Sequence, residues 1–193
     1  YLSDGGKVYL ILGDTTSDTP NLDGIMSDYG LKKVSGYIAD TQRCYQGNYY
    51  AIFPQLSLSG DLGSGISNQM VLLLNSPGME KTDTDNDNLT VTPFMQTSDS
   101  GYAVTENDQT QGQYILGAVS TNAISGDSSD SDSEDEDDKS DATDTDTKTA
   151  RLTVLASASM ISSDITDQLT TLDNLTLFVN SVTENFDNVN NVA

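Results

Sequence analysis

The sequence predicts a layered α/β sandwich with a mainly parallel central sheet, part of it antiparallel. Three observations lead there. Continuous apolar runs of strand length, such as Lys7–Gly13 (KVYLILG) and Gln69–Ser76 (QMVLLLNS), suit strands covered on both faces. A strand–helix–strand succession over about 35 residues near the start reads as a βαβ unit with a right-handed crossover. Near the end, Leu172, Leu175, Phe178, Val179, Val182 and Phe186 recur at i, i+3, i+4 spacing, the stripe of a helix docking on a sheet. Helices are few for the number of strand runs, hence the antiparallel part.

The elements follow in order. Gly5-Gly6 reads as a helix end and tight turn before the first strand, Lys7–Gly13. A short helix is predicted next, with Pro20 in its first turn, Leu22, Ile25, Met26 and Tyr29 at helical spacing, and Gly30 as its stop. Val34–Asp40 (VSGYIAD) is the second strand. Residues 48–58 are extended but interrupted by Pro54, and residues 59–68 form a Gly/Ser-rich loop. Residues 89–98 alternate as a strand with a bulge or edge at Pro93, and Gly101–Thr105 continues it. Gly112–Thr121 and Ala150–Ser159 are the last apolar strands, followed by the amphipathic helix. Residues 1–186 make one domain, Gly126–Lys148 is an acidic insertion loop, and 187–193 a flexible tail.

Charge and residue usage exclude several functions. The net charge is −22, of which the run Gly126–Lys148 carries −9 and the remainder −13. Nucleic acid and anionic lipid surfaces are excluded as partners, because both need a basic patch. The acidic run is too polar to repay ordering and is expected to be a solvated surface insertion. One cysteine, Cys44, rules out an internal disulfide, and the absence of histidine removes the commonest general base and metal ligand. No stretch approaches the length of a membrane span, and no signal peptide is visible. The opening residues, YLSDGGKVYLIL, suggest an excised fragment of a larger protein.

Candidate sites are weak. Asp83, Asp85 and Asp87 stand at the first, third and fifth positions of a calcium-loop pattern. Asn88 replaces its glycine and Phe94 its final glutamate, so a polar loop tip is preferred over a metal site. Asp14, Thr15 and Thr16 follow the first strand, where α/β sheets place ligands, although a structural turn is preferred there. The Gly-rich loop lacks the Gly-Lys-Ser/Thr of a phosphate cradle. Cys44 adjoins Arg43 but has no histidine partner, so it reads as a plain thiol. No cofactor is expected.

A resemblance to a family runs along the chain. The stretches PNLDGIMSDYGL and VSGYIAD, then VTPFMQTSDSGY (Val91–Tyr102), ARLTVLASASMIS and LDNLTLFVNSVTEN, stand in the same order as motifs of GldG-like auxiliary subunits of ABC transporters, in their extracytoplasmic region. Two departures stand out: Ser157 or Ser159 takes the place of an acid in the turn after the penultimate motif, and Glu184-Asn185 replaces an aromatic-aliphatic pair. The resemblance implies a glutamine-amidotransferase-like or flavodoxin-like layer structure without a nucleophile, and no catalytic residues. It also implies partners in an ABC permease and ATPase, exposure on the outer face of the cell membrane, and membrane anchors outside this fragment. The expected function is thus non-catalytic binding or assembly. The alternative is a metal-dependent hydrolase or transferase using carboxylates such as Asp14 and Asp40; a soluble ligand-binding protein is a third option.

Overall fold

The computed structural model describes residues 1–13, 18–124 and 148–187. Its strands, in chain order, are β1 (Lys7–Ile11), β2 (Leu31–Lys33), β3 (Tyr37–Asp40), β4 (Cys44–Tyr45), β5 (Asn48–Ile52), β6 (Gln55–Leu56), β7 (Leu73–Leu74), β8 (Met79–Lys81), β9 (Leu89–Gln96), β10 (Gly101–Val104), β11 (Gln109–Gly112), β12 (Ile115–Ile124) and β13 (Lys148–Leu155). The α-helices are α1 (Pro20–Asp28), α2 (Ser163–Thr166) and α3 (Asn174–Asn185), with short 3-10 turns at Leu2–Asp4, Gly60–Gly63 and Ala158–Ile161.

The strands form three sheets. The largest has seven strands in the path β1-β13-β12-β8-β2, with β9 also on β12 and β6 on β9. Two three-stranded sheets, β11-β10-β3 and β4-β5-β7, complete the set. Only β1 and β13 run parallel among the described pairings; all the others are antiparallel.

This corrects the expected fold class. Strand accounts for 38% of the described residues and helix for 22%, spread over several sheets, so the chain is a β-rich domain and not a flavodoxin-like α/β sandwich. The expected βαβ unit does not form. The chain leaves α1 into β2, at the opposite end of the sheet path from β1, and β2 pairs antiparallel with β8. Of the second expected strand, Val34–Asp40, only Tyr37–Asp40 is strand, following the positive-φ Gly36, and it joins another sheet as β3, on β10. Gly101–Val104 does not prolong β9 either; it pairs between β3 and β11. Hairpin-type antiparallel pairing removes the need for covering helices, because such pairs close through short turns and not through crossovers.

The core gathers on the large sheet. Leu31, Met79, Phe94, Met95, Leu116, Leu152 and Val154 are all essentially inaccessible, with Met26 from α1 added to them. A smaller cluster of Ala51, Leu72 and Ile165 lies under the β4-β5-β7 sheet and α2. The bulge expected at Pro93 is found beside it. Pro93 faces Ala118 and Met95 faces Gly117, so Phe94 is the extra residue. A β-carbon on Gly117 would stand 2.7 Å from the Met95 methyl and 2.8 Å from the Phe94 ring, so glycine is needed for that ring to enter the core. Gly30, at φ +71, ends α1 where a β-carbon would meet Val91 at 2.8 Å. The strands flanking the acidic run, β12 and β13, are antiparallel neighbours over eight residue pairs; residues 125–147 themselves lie outside the described residues.

Candidate functional site

The sequence-predicted site residues are not brought together. Asp83, Asp85 and Asp87 are exposed on the connection from β8 to β9. Asn86 organises that loop instead. Its side-chain carbonyl accepts from the Asn88 N–H at 3.0 Å, and its amide donates to Asn122 at 3.2 Å. Among the described residues, no group of three or more His, Cys, Asp or Glu side chains is placed to hold a metal ion. Asp14, Thr15 and Thr16 lie outside the described residues. Cys44 is a half-buried free thiol in β4. The guanidinium of its neighbour Arg43 donates to the carbonyls of Phe53 at 2.7 Å and Pro54 at 3.3 Å.

Asp40, offered as one of two catalytic carboxylates, is a structural knot. Fully buried at the end of β3, it accepts from the N–H groups of Gln42 and Arg43, both at 2.9 Å, and of Ser98 at 2.7 Å, and from the Ser98 hydroxyl at 2.9 Å. Four donors are about the capacity of an ionised carboxylate. Burial pushes its pKa up, but the N–H groups of Ser98 and Arg43, the Ser98 hydroxyl and the Gln42 N–H outweigh it and hold the acid below its ordinary value. The two stretches that Asp40 ties together, VSGYIAD and VTPFMQTSDSGY, are two of those carrying the GldG-like resemblance.

Asp173 makes a second knot, before α3. Its carboxylate accepts from the N–H groups of Ser67 at 3.2 Å, Asn68 at 2.9 Å and Met70 at 3.4 Å, and from the Ser67 hydroxyl at 3.3 Å. Burial raises its pKa, yet these donors bring it below the ordinary value. The next residue, Asn174, is equally engaged: its amide donates to the carbonyls of Leu72 and Met160 while its oxygen accepts from the Leu72 N–H. The Gly/Ser-rich loop is therefore laced to the start of α3 by side chains the sequence analysis passed over. The sequence signal was an Asp at the N-cap position of an amphipathic helix, although its carboxylate caps the Gly/Ser-rich loop and not the helix itself. Ser157 accepts from the Ser159 N–H and caps the 3-10 turn. A serine there does an acid's capping work.

Helix α3 has two faces, and the predicted stripe is divided between them: Phe178, and Leu172 just before the helix, pack on the core, whereas Leu175, Val179 and Phe186 are exposed. Asn174, Leu177, Ser181 and Asn185 face inward. The sheet presents the polar half of its alternation to them. Tyr9 bonds to Ser181 at 2.6 Å, Thr153 donates to the Asn185 carbonyl at 2.6 Å, Arg151 donates to the Glu184 backbone carbonyl and Lys7 pairs with Asp187. Burial pushes the Tyr9 phenol well above its ordinary range, only partly offset by Ser181, so it stays protonated. Phe178 meets the Tyr9 ring edge-on at 6.0 Å between centroids. Two buried side-chain atoms here, Glu184 Oε2 and Asn185 Nδ2, have no hydrogen-bond partner among the described residues. The outer face carries the rest of the expected apolar stripe: Leu175 is 56% exposed, Val179 51% and Phe186 38%.

Comparison with known proteins bears on the fold. No family model matches the chain. No curated protein matches it either. Among solved structures it is similar to the "mmIFT52 N-terminal domain", with a TM-score of 0.56 and 12% sequence identity, over 96% of this chain and 67% of that chain. A likeness at that identity speaks of the fold alone. It reinforces the β-rich architecture over the layered α/β expectation.

Proposed function

We propose that this domain is a non-catalytic binding or assembly module of an ABC transport system, of the GldG-like auxiliary kind, acting on the extracytoplasmic face of the membrane with a permease and an ATPase as its partners. The observation that carries the proposal is the collinear set of family-like stretches. Two of them meet in the Asp40–Ser98 knot. Asn174, in the last of them, donates to Met160, in the one before it. Residues shared with the family pattern thus serve to hold elements together, as a scaffold for recognition requires.

The alternative, a hydrolase or transferase built on Asp14 and Asp40 with a metal, loses support because Asp40 is inaccessible and its acceptor sites are occupied by backbone and serine donors. The test of the proposal is co-purification. Tagged full-length protein, extracted from membranes with mild detergent, is expected to bring a permease and an ATPase subunit with it. Recovery as a lone cytosolic protein would remove the reading.

A further inference from the structure

One short motif occurs twice in this chain, and the fold treats its two copies differently. Asparagine with serine or threonine two places on, and no proline between, is the acceptor pattern for N-linked saccharides. The chain matches it at Asn88-Leu89-Thr90 and at Asn174-Leu175-Thr176. The three residue types are the same at both places, so what separates the two sites is their surroundings.

Asn174 is closed to this chemistry. It is only 1% exposed. Its Nδ2, the atom that would carry the sugar, donates to the carbonyls of Leu72 at 2.8 Å and Met160 at 3.0 Å, while its side-chain oxygen accepts from the Leu72 N–H at 2.9 Å. An amide nitrogen has two hydrogens, and both are in use. A saccharide there would break one of these bonds and has no room in a close-packed interior.

Asn88 is open. It is exposed in the turn just before β9, where the Leu89 N–H donates to the Asn86 carbonyl at 3.1 Å. Among the described residues its bonds are made by its backbone: the N–H donates to the Asn86 side chain at 3.0 Å, and the carbonyl accepts from the Ala123 N–H at 3.2 Å. Its side-chain amide is thus left to solvent. Thr90, the residue a transferase must also read, is exposed as the second residue of β9, and half-buried Leu89 between them packs on the core. Asp83, Thr84, Asp85 and Asp87 are exposed as well, so the acceptor stands on an accessible stretch.

We propose that Asn88 is an N-glycosylation site whose donor is a saccharide carried on a polyprenyl phosphate or pyrophosphate. In the transfer, the bond from the sugar C1 to the lipid phosphate oxygen breaks and a bond from C1 to Asn88 Nδ2 forms. The lipid phosphate leaves with the bonding pair, and the amide proton passes to a base of the transferase. Nothing is oxidised or reduced. The proposal rests on the part of the functional reading that exposes the domain on the extracytoplasmic face, and not on its transporter partners.

The test is mass spectrometry of full-length protein taken from the membranes of the organism that makes it, in the same preparation as the co-purification. The peptide spanning Asn88 is expected to carry a saccharide on that residue, and the peptide spanning Asn174 to carry none. Asn88→Gln and Thr90→Ala should each abolish the modification, and Thr90→Ser should keep it. All three variants should retain the melting temperature, because both side chains are exposed. A bare Asn88 overturns the proposal. So does a saccharide that survives Thr90→Ala, or one found on Asn174. The proposal and the module reading fail separately: a bare Asn88 on protein that brings the permease and ATPase leaves the module reading standing, and a saccharide on Asn88 of protein that comes alone keeps the site and removes those partners.

Discussion

Two buried polar regions of this domain solve the same problem with opposite completeness. At Asp40, a carboxylate with no exposure receives three N–H groups and a hydroxyl, and its pKa is held below the ordinary value. Under α3, Glu184 and Asn185 face Arg151 and Thr153, but Glu184 Oε2 and Asn185 Nδ2 have no partner among the described residues. Burial raises the Glu184 pKa; the Arg151 charge and the Leu62 N–H only partly offset it, and Asp61 adds to the rise. The contrast separates a fully satisfied joint of the scaffold from an incompletely satisfied one. A buried charge stabilises only where its desolvation is met by enough well-placed donors. Asp40 meets that condition, and Glu184 does not.

The largest effect that tests this contrast is at Asp40. Asp40→Ala leaves the N–H groups of Gln42, Arg43 and Ser98 without their acceptor, at about 1–3 kcal/mol for each that water cannot reach. A loss of about 4 kcal/mol in urea unfolding at neutral pH is expected, enough to jeopardise folding of a domain of this size. Asp40→Asn keeps the shape and one acceptor oxygen, and should lie between the variant and the native chain. The native acid has its pKa lowered on folding, so its contribution is present above the ordinary carboxylate range and is lost as pH falls through the lowered value. The gap between native and Asp40→Asn should therefore narrow on acidification. A loss under about 1 kcal/mol for Asp40→Ala would mean the knot is not a joint.

How much of this was legible beforehand depends on the kind of signal. Apolar runs announced β1, β12 and β13, and Pro93 announced the bulge beside it, because these depend on local composition. Sheet assignment was not legible: Val34–Asp40 reads as a strand in any fold, and its partner, β10, lies about sixty residues on. The α3 face was misread for a physical reason that was present in the letters. In KVYLI and ARLTVL the residues Lys7, Tyr9, Arg151 and Thr153 alternate with apolar neighbours, and the register pairs Lys7 with Arg151 and Tyr9 with Thr153. That polar half needs a polar helix face, which Asn174, Ser181 and Asn185 supply. Reading the strands as unbroken apolar runs hid the alternation and sent the apolar stripe of α3 inward. The Asp40 site residue was visible as a residue but not as a knot, since its donor Ser98 is 58 positions away.

The second test lies at the incomplete region. Glu184→Leu removes the buried carboxylate oxygen and puts an apolar side chain in its place. It also leaves the Leu62 N–H without the carboxylate and deprives Arg151 of a nearby charge, although the Arg151 bond to the Glu184 backbone carbonyl survives. These terms oppose one another, and the net change expected in urea unfolding is within about 1 kcal/mol of zero. A loss comparable to that of Asp40→Ala would erase the distinction between the two regions.

The smallest effect is the pH dependence that Glu184 alone contributes, and its sign is the sharpest discriminator. The folded-state pKa of Glu184 is raised, so the folded protein holds this proton at a pH where the unfolded chain has released it. Stability from this group is fully present below the ordinary glutamate value and is lost as pH rises through the raised one. The Asp40 contribution runs the other way. Glu184→Gln has no proton to release, so the difference in unfolding free energy between Glu184→Gln and the native chain should grow in favour of the variant as pH rises from about 4 to about 8. Both chains share the remaining acids, so the general repulsion within a molecule of net charge −22 cancels in that difference to first order. A difference that stays flat would place Glu184 in a solvated setting with an ordinary pKa. A difference that shrinks with pH would mean that Arg151 and the Leu62 N–H satisfy it after all, and that the underside of α3 is as complete as the Asp40 knot.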